Sequence, residues 1–338
     1  MKPRRVPACR FLVVVAATLA CTTEPPRTTP TPKPTPKQEA APDSAWYEVV
    51  AQAPGPEFTD PAMRAAVEAS GHPWKVRDRA TGIELVLVLP GDFDMGSPAT
   101  EEGRQGHEGP QHRVRISHAF YLGTTEVSQR TWEGLMGSTT SFFPGPELPV
   151  SPSWRDVDGF LARANAAVGS GTPPLRLPTE AEWEYASRAG TTTPHCLPDS
   201  VQGPALHTVM NFNDGEISSA VVVDGRLQVE WSTPPSPGCR MTTVPVGSLP
   251  PNRWGLHEMH GNLWEWTADA YRPDAYAERG ALTVDPFVSG PASGLHTLRG
   301  GSWYDPAAQC RAASRDAGGA DVQSNRIGFR VARTAGSE

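Results

Sequence analysis

The stretch 252–269, NRWGLHEMHGNLWEWTAD, restricts what this chain can fold into more than any other. Trp254, Trp264 and Trp266 fall within thirteen residues, and rings of that size carry a large apolar payload that needs a core to receive it. Gly261-Asn262 interrupts them, a pair suited to a turn that needs positive φ. Glu258 and Glu265 flank that turn. Glu265 stands between two tryptophans, and a carboxylate buried there needs a partner. Two carboxylates with turn carbonyls between them are also the oxygen-only set that a hard cation such as calcium prefers. The competing expectation is that the tryptophans are core and the carboxylates face solvent.

The first twenty residues read as a leader. Lys2, Arg4, Arg5 and Arg10 surround the start of an apolar run at 11–20. That run is too short for a bilayer, which takes about 20 residues, but it fits the centre of a signal peptide. It ends at Thr18-Leu19-Ala20-Cys21, which resembles a bacterial lipobox except at Thr18, where an apolar residue is usual. The resemblance implies lipidation of Cys21; ordinary cleavage after Ala20 is the alternative. Residues 21–42 are Pro- and Thr-rich without aromatics, so they form an extended tether rather than a core. The expected product is exported and anchored by lipid to a bacterial membrane, on the periplasmic side or at the cell surface.

Residues 43–79 read as a short helical adaptor, with Asp60 as a cap and Pro61 at the first helical position. The remaining 80–334 suffice for one core burying about three quarters of its unfolded surface. Formal charge is −7, and −11 once the four basic side chains of 1–20 are gone. No basic cluster follows the tether, so nucleic acid is not an expected partner. Of the five cysteines, Cys9 and Cys21 belong to the leader region and Cys196, Cys239 and Cys310 to the folded part. Cys196 with Cys239 is the simplest disulfide, because the two flank one insertion-like segment; Cys310 is then free.

Within 80–334, Ile83, Leu85, Leu87 and Leu89 alternate with Val86 and Val88, which predicts a strand covered on both faces. Val114 and Ile116 point inward from a second. Helices are expected at 128–136, at 153–168 with a stripe including Val157, Phe160 and Ala164, and at 178–189, where Thr179 and Glu182 form a capping box. Residues 191–250 are irregular apart from a hairpin at 221–229 turning through Asp224-Gly225. Strands return at 298–303 and 326–333, where Ile327, Phe329 and Val331 alternate. Strands early, helices in the middle and strands late describe an α+β domain whose ends are expected to meet in one sheet.

Six motifs occur in order: FDMGS (93–97), HEGPQHRVRISHAFYLGTTEVSQRTWEGLMG (107–137), RLPTEAEWEYASRAG (176–190), the tryptophan stretch, LRGGSW (298–303) and RIGFRVA (326–332). Together they resemble the formylglycine-generating enzyme, or sulfatase-modifying factor, family. The resemblance implies a single α+β domain with a loop-rich C-type-lectin-like fold. It also implies oxidation of a sulfatase cysteine in a Cys-x-Pro-x-Arg motif, with oxygen and a copper ion on two thiols. Placed on this chain, the thiol positions are Asp305 and Cys310, and Ser302 and Trp264 match the serine and tryptophan beside the oxygen site. A carboxylate is a hard donor and does not replace a thiolate on Cu(I). For calcium, the resemblance implies Glu258, Gly261, Leu263 and Glu265 at one site, and Asn211 and Phe212 at a second whose acidic position is occupied by Gly238.

His257 and His260 lack the H-E-x-x-H spacing of a helical zinc site, so they are expected to be solvated or turn residues. Two functions remain. One is a binding module for a protein, peptide or glycan, displayed on a tether. The other is a copper- and oxygen-dependent oxidase that still makes formylglycine.

Overall fold

Strand β3 (Glu84–Val88) shows why the fold is built as it is: Leu85, Val86, Leu87 and Val88 are all buried, so the strand is covered on both faces as its unbroken apolar run requires. The computed structural model describes residues 46–139, 141–168, 171–196, 203–223, 226–292 and 294–336. Cys21 and the tether lie outside the described residues.

Before β3 come β1 (Tyr47–Ala51), α1 (Pro61–Ser70) and β2 (Lys75–Asp78); after it come β4 (Gly91–Met95), β5 (His112–Ile116) and β6 (Phe120–Gly123). Three helices follow, α2 (Gln129–Met136), α3 (Trp154–Ala166) and α4 (Glu180–Arg188), then the hairpin β7 (Glu216–Val223) and β8 (Arg226–Thr233). The chain ends in β9 (Trp264–Ala270), β10 (Leu282–Val284), β11 (Leu295–Arg299), β12 (Arg315–Gly319), β13 (Ile327–Gly328) and β14 (Ala332–Thr334).

A five-stranded antiparallel sheet runs β1-β2-β3-β6-β14, so the two ends of the described fold do meet in one sheet. The other sheets are β10-β5-β4, β12-β11-β9-β13 and the hairpin. The stretch expected to be a helical adaptor corrects itself here. Asp60 caps α1 through the amides of Ala62 and Met63, but 47–51, read as helical, is strand β1 paired with β2. Local helical propensity loses to an available sheet edge.

The helices follow their caps. Ser128, Ser153 and Thr179 each accept a hydrogen bond from the third residue of α2, α3 and α4, and the last two are reciprocal capping boxes. On α3, Val157, Phe160 and Ala164 are buried; Phe160 stacks on Trp132 at 5.3 Å and meets Phe329 edge-on. Helix α4 is buried on every face, although it carries Glu180, Glu182, Glu184 and Arg188. Its carboxylates are paired inside the protein: Glu180 with Arg315, Glu182 with Arg176, and Glu184 with Arg188 and Arg299. Removing one member of such a buried pair costs about 3–5 kcal/mol, because it leaves the other charge without compensation. Among the described residues, no helix is long and apolar enough to cross a membrane.

Candidate functional site

Two glycines after β11 place the first group of site residues. Gly300 and Gly301 have φ of 97° and 77°, and a Cβ on Gly301 would fall 2.6 Å from the Cys310 sulfur. The chain then turns through Ser302, and the amide of Asp305 donates back to the Ser302 carbonyl at 3.1 Å. This brings Asp305 to the edge of the Trp264 ring, whose Nε1–H donates to Asp305 Oδ2 at 2.8 Å. The Ser302 hydroxyl donates to the same oxygen. Arg326 lies over the Tyr304 ring, with its Nη1 3.9 Å from Asp305 Oδ1. Burial raises the Asp305 carboxyl above its ordinary range, against the pull of Ser302, Arg326 and Trp264.

Cys310 is brought close in the chain but not into this cluster. Its thiol is fully buried with Met210 and Phe212 and points at the Ser302 carbonyl, 3.8 Å away. Burial, reinforced by the Asp305 charge, pushes the thiol well above its ordinary range, so it stays protonated at neutral pH.

The tryptophan turn forms a second cluster on the other side of Trp264. Gly261 has φ of 80°, and a Cβ there would fall 2.1 Å from the Asn211 carbonyl oxygen. Glu265 is fully buried and receives Arg330 through both carboxylate oxygens at 2.7 Å, plus the Trp183 Nε1–H at 2.7 Å. Glu258 accepts the amides of Gly247 and Leu249. A third carboxylate, Glu126, takes the Asn262 side chain at 2.6 Å and the Leu263 amide at 3.1 Å. Burial first, then the charges of Glu265 and Glu258, lift Glu126 well above its usual range; burial also raises Glu258. Asn211 donates to the Thr242 carbonyl and to Asn262, while its buried Oδ1 has no partner among the described residues.

Sequence reasoning missed Glu126, Arg330 and Trp183. Arg330 was hidden by the alternation of Ile327, Phe329 and Val331, which would turn it to solvent; instead the strand breaks between β13 and β14 and the guanidinium goes inward. Of the two expectations for His260, solvated or turn, the turn holds: the residue is buried there, its Nδ1 bonded to the Cys310 carbonyl at 2.9 Å, and burial lowers its pKa to about 3. The expected bridge between Cys196 and Cys239 is not formed, and Cys196, Cys239 and Cys310 are all free. Cys196 is buried and directed at the Thr193 carbonyl, whereas Cys239 faces Met241 and Asn213.

Residues 73–335 match the model of the sulfatase-modifying factor enzyme 1-like domain. The chain belongs to the sulfatase-modifying factor family. It is 33% identical over 210 residues to the formylglycine-generating enzyme of Streptomyces coelicolor, covering 60% of this chain and 58% of that enzyme. To the bovine (Bos taurus) formylglycine-generating enzyme it is 30% identical over 299 residues, covering 74% of each. It is also 27% identical to the mouse (Mus musculus) protein named inactive C-alpha-formylglycine-generating enzyme 2, over 62% of this chain and 57% of that one. Among solved structures, PvdO from Pseudomonas aeruginosa superposes with a TM-score of 0.62 at 26% identity, over 77% of this chain and 98% of PvdO.

Membership in the sulfatase-modifying factor family raises the question of whether these residues suit its metals. Cu(I) asks for two soft donors. Here one position is a carboxylate already holding Ser302 and Trp264, and the other is a thiol that keeps its proton; the residues do not fit copper. Calcium differs. Glu126, Glu258 and Glu265 face a single guanidinium, so ionising all three would leave buried negative charge uncompensated, and their hard oxygens suit a divalent cation. Among the described residues, however, no three His, Cys, Asp or Glu side chains converge as a ready metal cage, so backbone oxygens are needed. At the second position the unpartnered Asn211 oxygen gains no carboxylate from residue 238: Gly238 packs on His207, which in turn stacks on Phe212 at 4.1 Å. That set does not fit calcium.

Proposed function

We propose that this chain is a membrane-tethered binding module on a sulfatase-modifying factor scaffold. One observation carries the reading: Asp305 stands in the place of a copper thiol and engages Ser302 and Trp264, the groups that would otherwise serve the oxygen site. The site is thereby closed on itself. Beside it, Trp264, Arg326, Asp316 and Val322 line an open cavity of about 220 Å³, room for a side chain of a protein or peptide ligand. A mouse relative named as inactive lends support from within the family.

In this reading Cys21 carries the lipid and 21–42 hold the domain off the membrane. Labelled palmitate should enter the full chain and not its Cys21→Ala variant; incorporation into both would reject the anchor. Calcium has a structural role here, held by Glu258, Glu265 and the carbonyls of Gly261 and Leu263.

The second reading is the copper- and oxygen-dependent oxidase, favoured by the juxtaposition of Ser302 and Trp264. Mass spectrometry of a Cys-x-Pro-x-Arg peptide incubated with the protein, copper and oxygen separates the two. The binding reading expects the peptide mass unchanged; conversion of its cysteine to the aldehyde would establish the oxidase.

A further inference from the structure

A second recess lies between the β4 edge and the C-terminal end of α4, and none of its residues belongs to the clusters around Trp264. It is an open recess of about 140 Å³, close in volume to the cavity of about 150 Å³ that accepts a benzene ring. The six ring atoms of one saturated ring therefore fit within it, and the substituents of that ring extend through its open mouth. Its floor is aromatic: Phe93 and Tyr185 lie with ring centres 5.3 Å apart. Gln111, Thr191 and Thr192 supply amide and hydroxyl groups around it, and Asp92, Asp94, Arg113 and Arg188 complete the lining.

The charges decide the ligand class. Asp92 is paired with Arg115 at 2.7 Å, Asp94 with Arg113 at 3.2 Å, and Arg188 with Glu184 at 2.8 Å. Every charge on the wall is thus compensated by the protein itself. A free anion would meet two carboxylates and a free cation two guanidiniums, with no unpaired counter-charge to repay desolvation. A neutral ligand loses nothing by this arrangement. Paired carboxylates and guanidiniums still have unused lone pairs and N–H groups, and they are spaced around an aromatic floor. Several hydroxyls on one saturated ring satisfy both features, with C–H groups on the rings and O–H groups on the walls.

We propose that this recess binds a single neutral monosaccharide ring. The proposal goes beyond the reading of the Asp305 site and uses none of its residues, and the test below registers neither aldehyde nor copper. Saturation-transfer NMR on the full chain with millimolar glucose, galactose and mannose, and with glucosamine and glucuronate as cationic and anionic counterparts, examines it. Transfer to at least one neutral sugar is expected, about tenfold weaker for the charged ones. Thr192 is exposed, so Thr192→Trp should fill the recess and abolish transfer without changing the melting temperature; Gln111→Ala should weaken it. Absence of transfer to every neutral sugar, equal transfer to the charged ones, or transfer undiminished in Thr192→Trp would overturn the proposal.

Discussion

Glu265 and Asp305 are both buried carboxylates next to Trp264, yet they are solved differently. Glu265 follows the tryptophan in the chain and receives a guanidinium on both oxygens. Asp305 lies at the indole N–H and is held by two neutral donors, with its nearest guanidinium at 3.9 Å. A charge compensated in two directions is scaffold. A carboxylate raised above its ordinary range, with one guanidinium only at the edge of reach, is instead a candidate functional group.

The largest test of this contrast removes Glu265. Glu265→Ala strands Arg330 in the core and should cost about 3–5 kcal/mol in a urea titration; a loss below about 1 kcal/mol would erase the distinction from Asp305. Next comes calcium. If an ion is held by Glu258, Glu265 and the carbonyls of Gly261 and Leu263, a chelator should lower the melting temperature by the equivalent of about 2.7 kcal/mol for an ion present at a hundred times its Kd. Glu258→Gln should blunt that response. A melt indifferent to chelator and to added calcium would mean that protons, not an ion, balance these carboxylates.

Asp305→Asn should be milder, within about 1 kcal/mol at neutral pH, because the amide oxygen still accepts from Ser302 and Trp264. Its signature is in pH. The folded protein holds the Asp305 proton more tightly than the unfolded chain does, so the wild type loses stability as pH rises from the ordinary carboxylate range through the raised folded value. The variant lacks that decline and gains on the wild type over the same window; parallel curves would contradict the raised pKa. The smallest expected effect is none: with Cys196, Cys239 and Cys310 free among the described residues, a reductant should leave the melting temperature unchanged. A fall worth about 2–5 kcal/mol would restore the disulfide.

The legible parts of the fold were those where one local rule was sufficient. Thr179 with Glu182, Ser153, and the apolar run of β3 specify their elements without help from distant residues. Residues 47–51 were not legible, because a short amphipathic stretch takes its conformation from the edge of β2. At the site, Trp264 and Glu265 could be named from the tryptophan turn, and Ser302 and Asp305 from the family resemblance, but their partners could not. Arg330 comes from 65 positions away, and Glu126 reaches the turn across 136. A buried charge announces that it needs a counter-charge and says nothing about where in the chain to look.

The most direct measurement is competition for Cu(I) between the reduced, full-length protein and a chelator of known affinity, alongside Asp305→Cys. The account predicts that the wild type surrenders its copper completely and that the second thiol restores binding at this site. Tightly held, redox-active copper in the wild type, lost on Cys310→Ala, would contradict it.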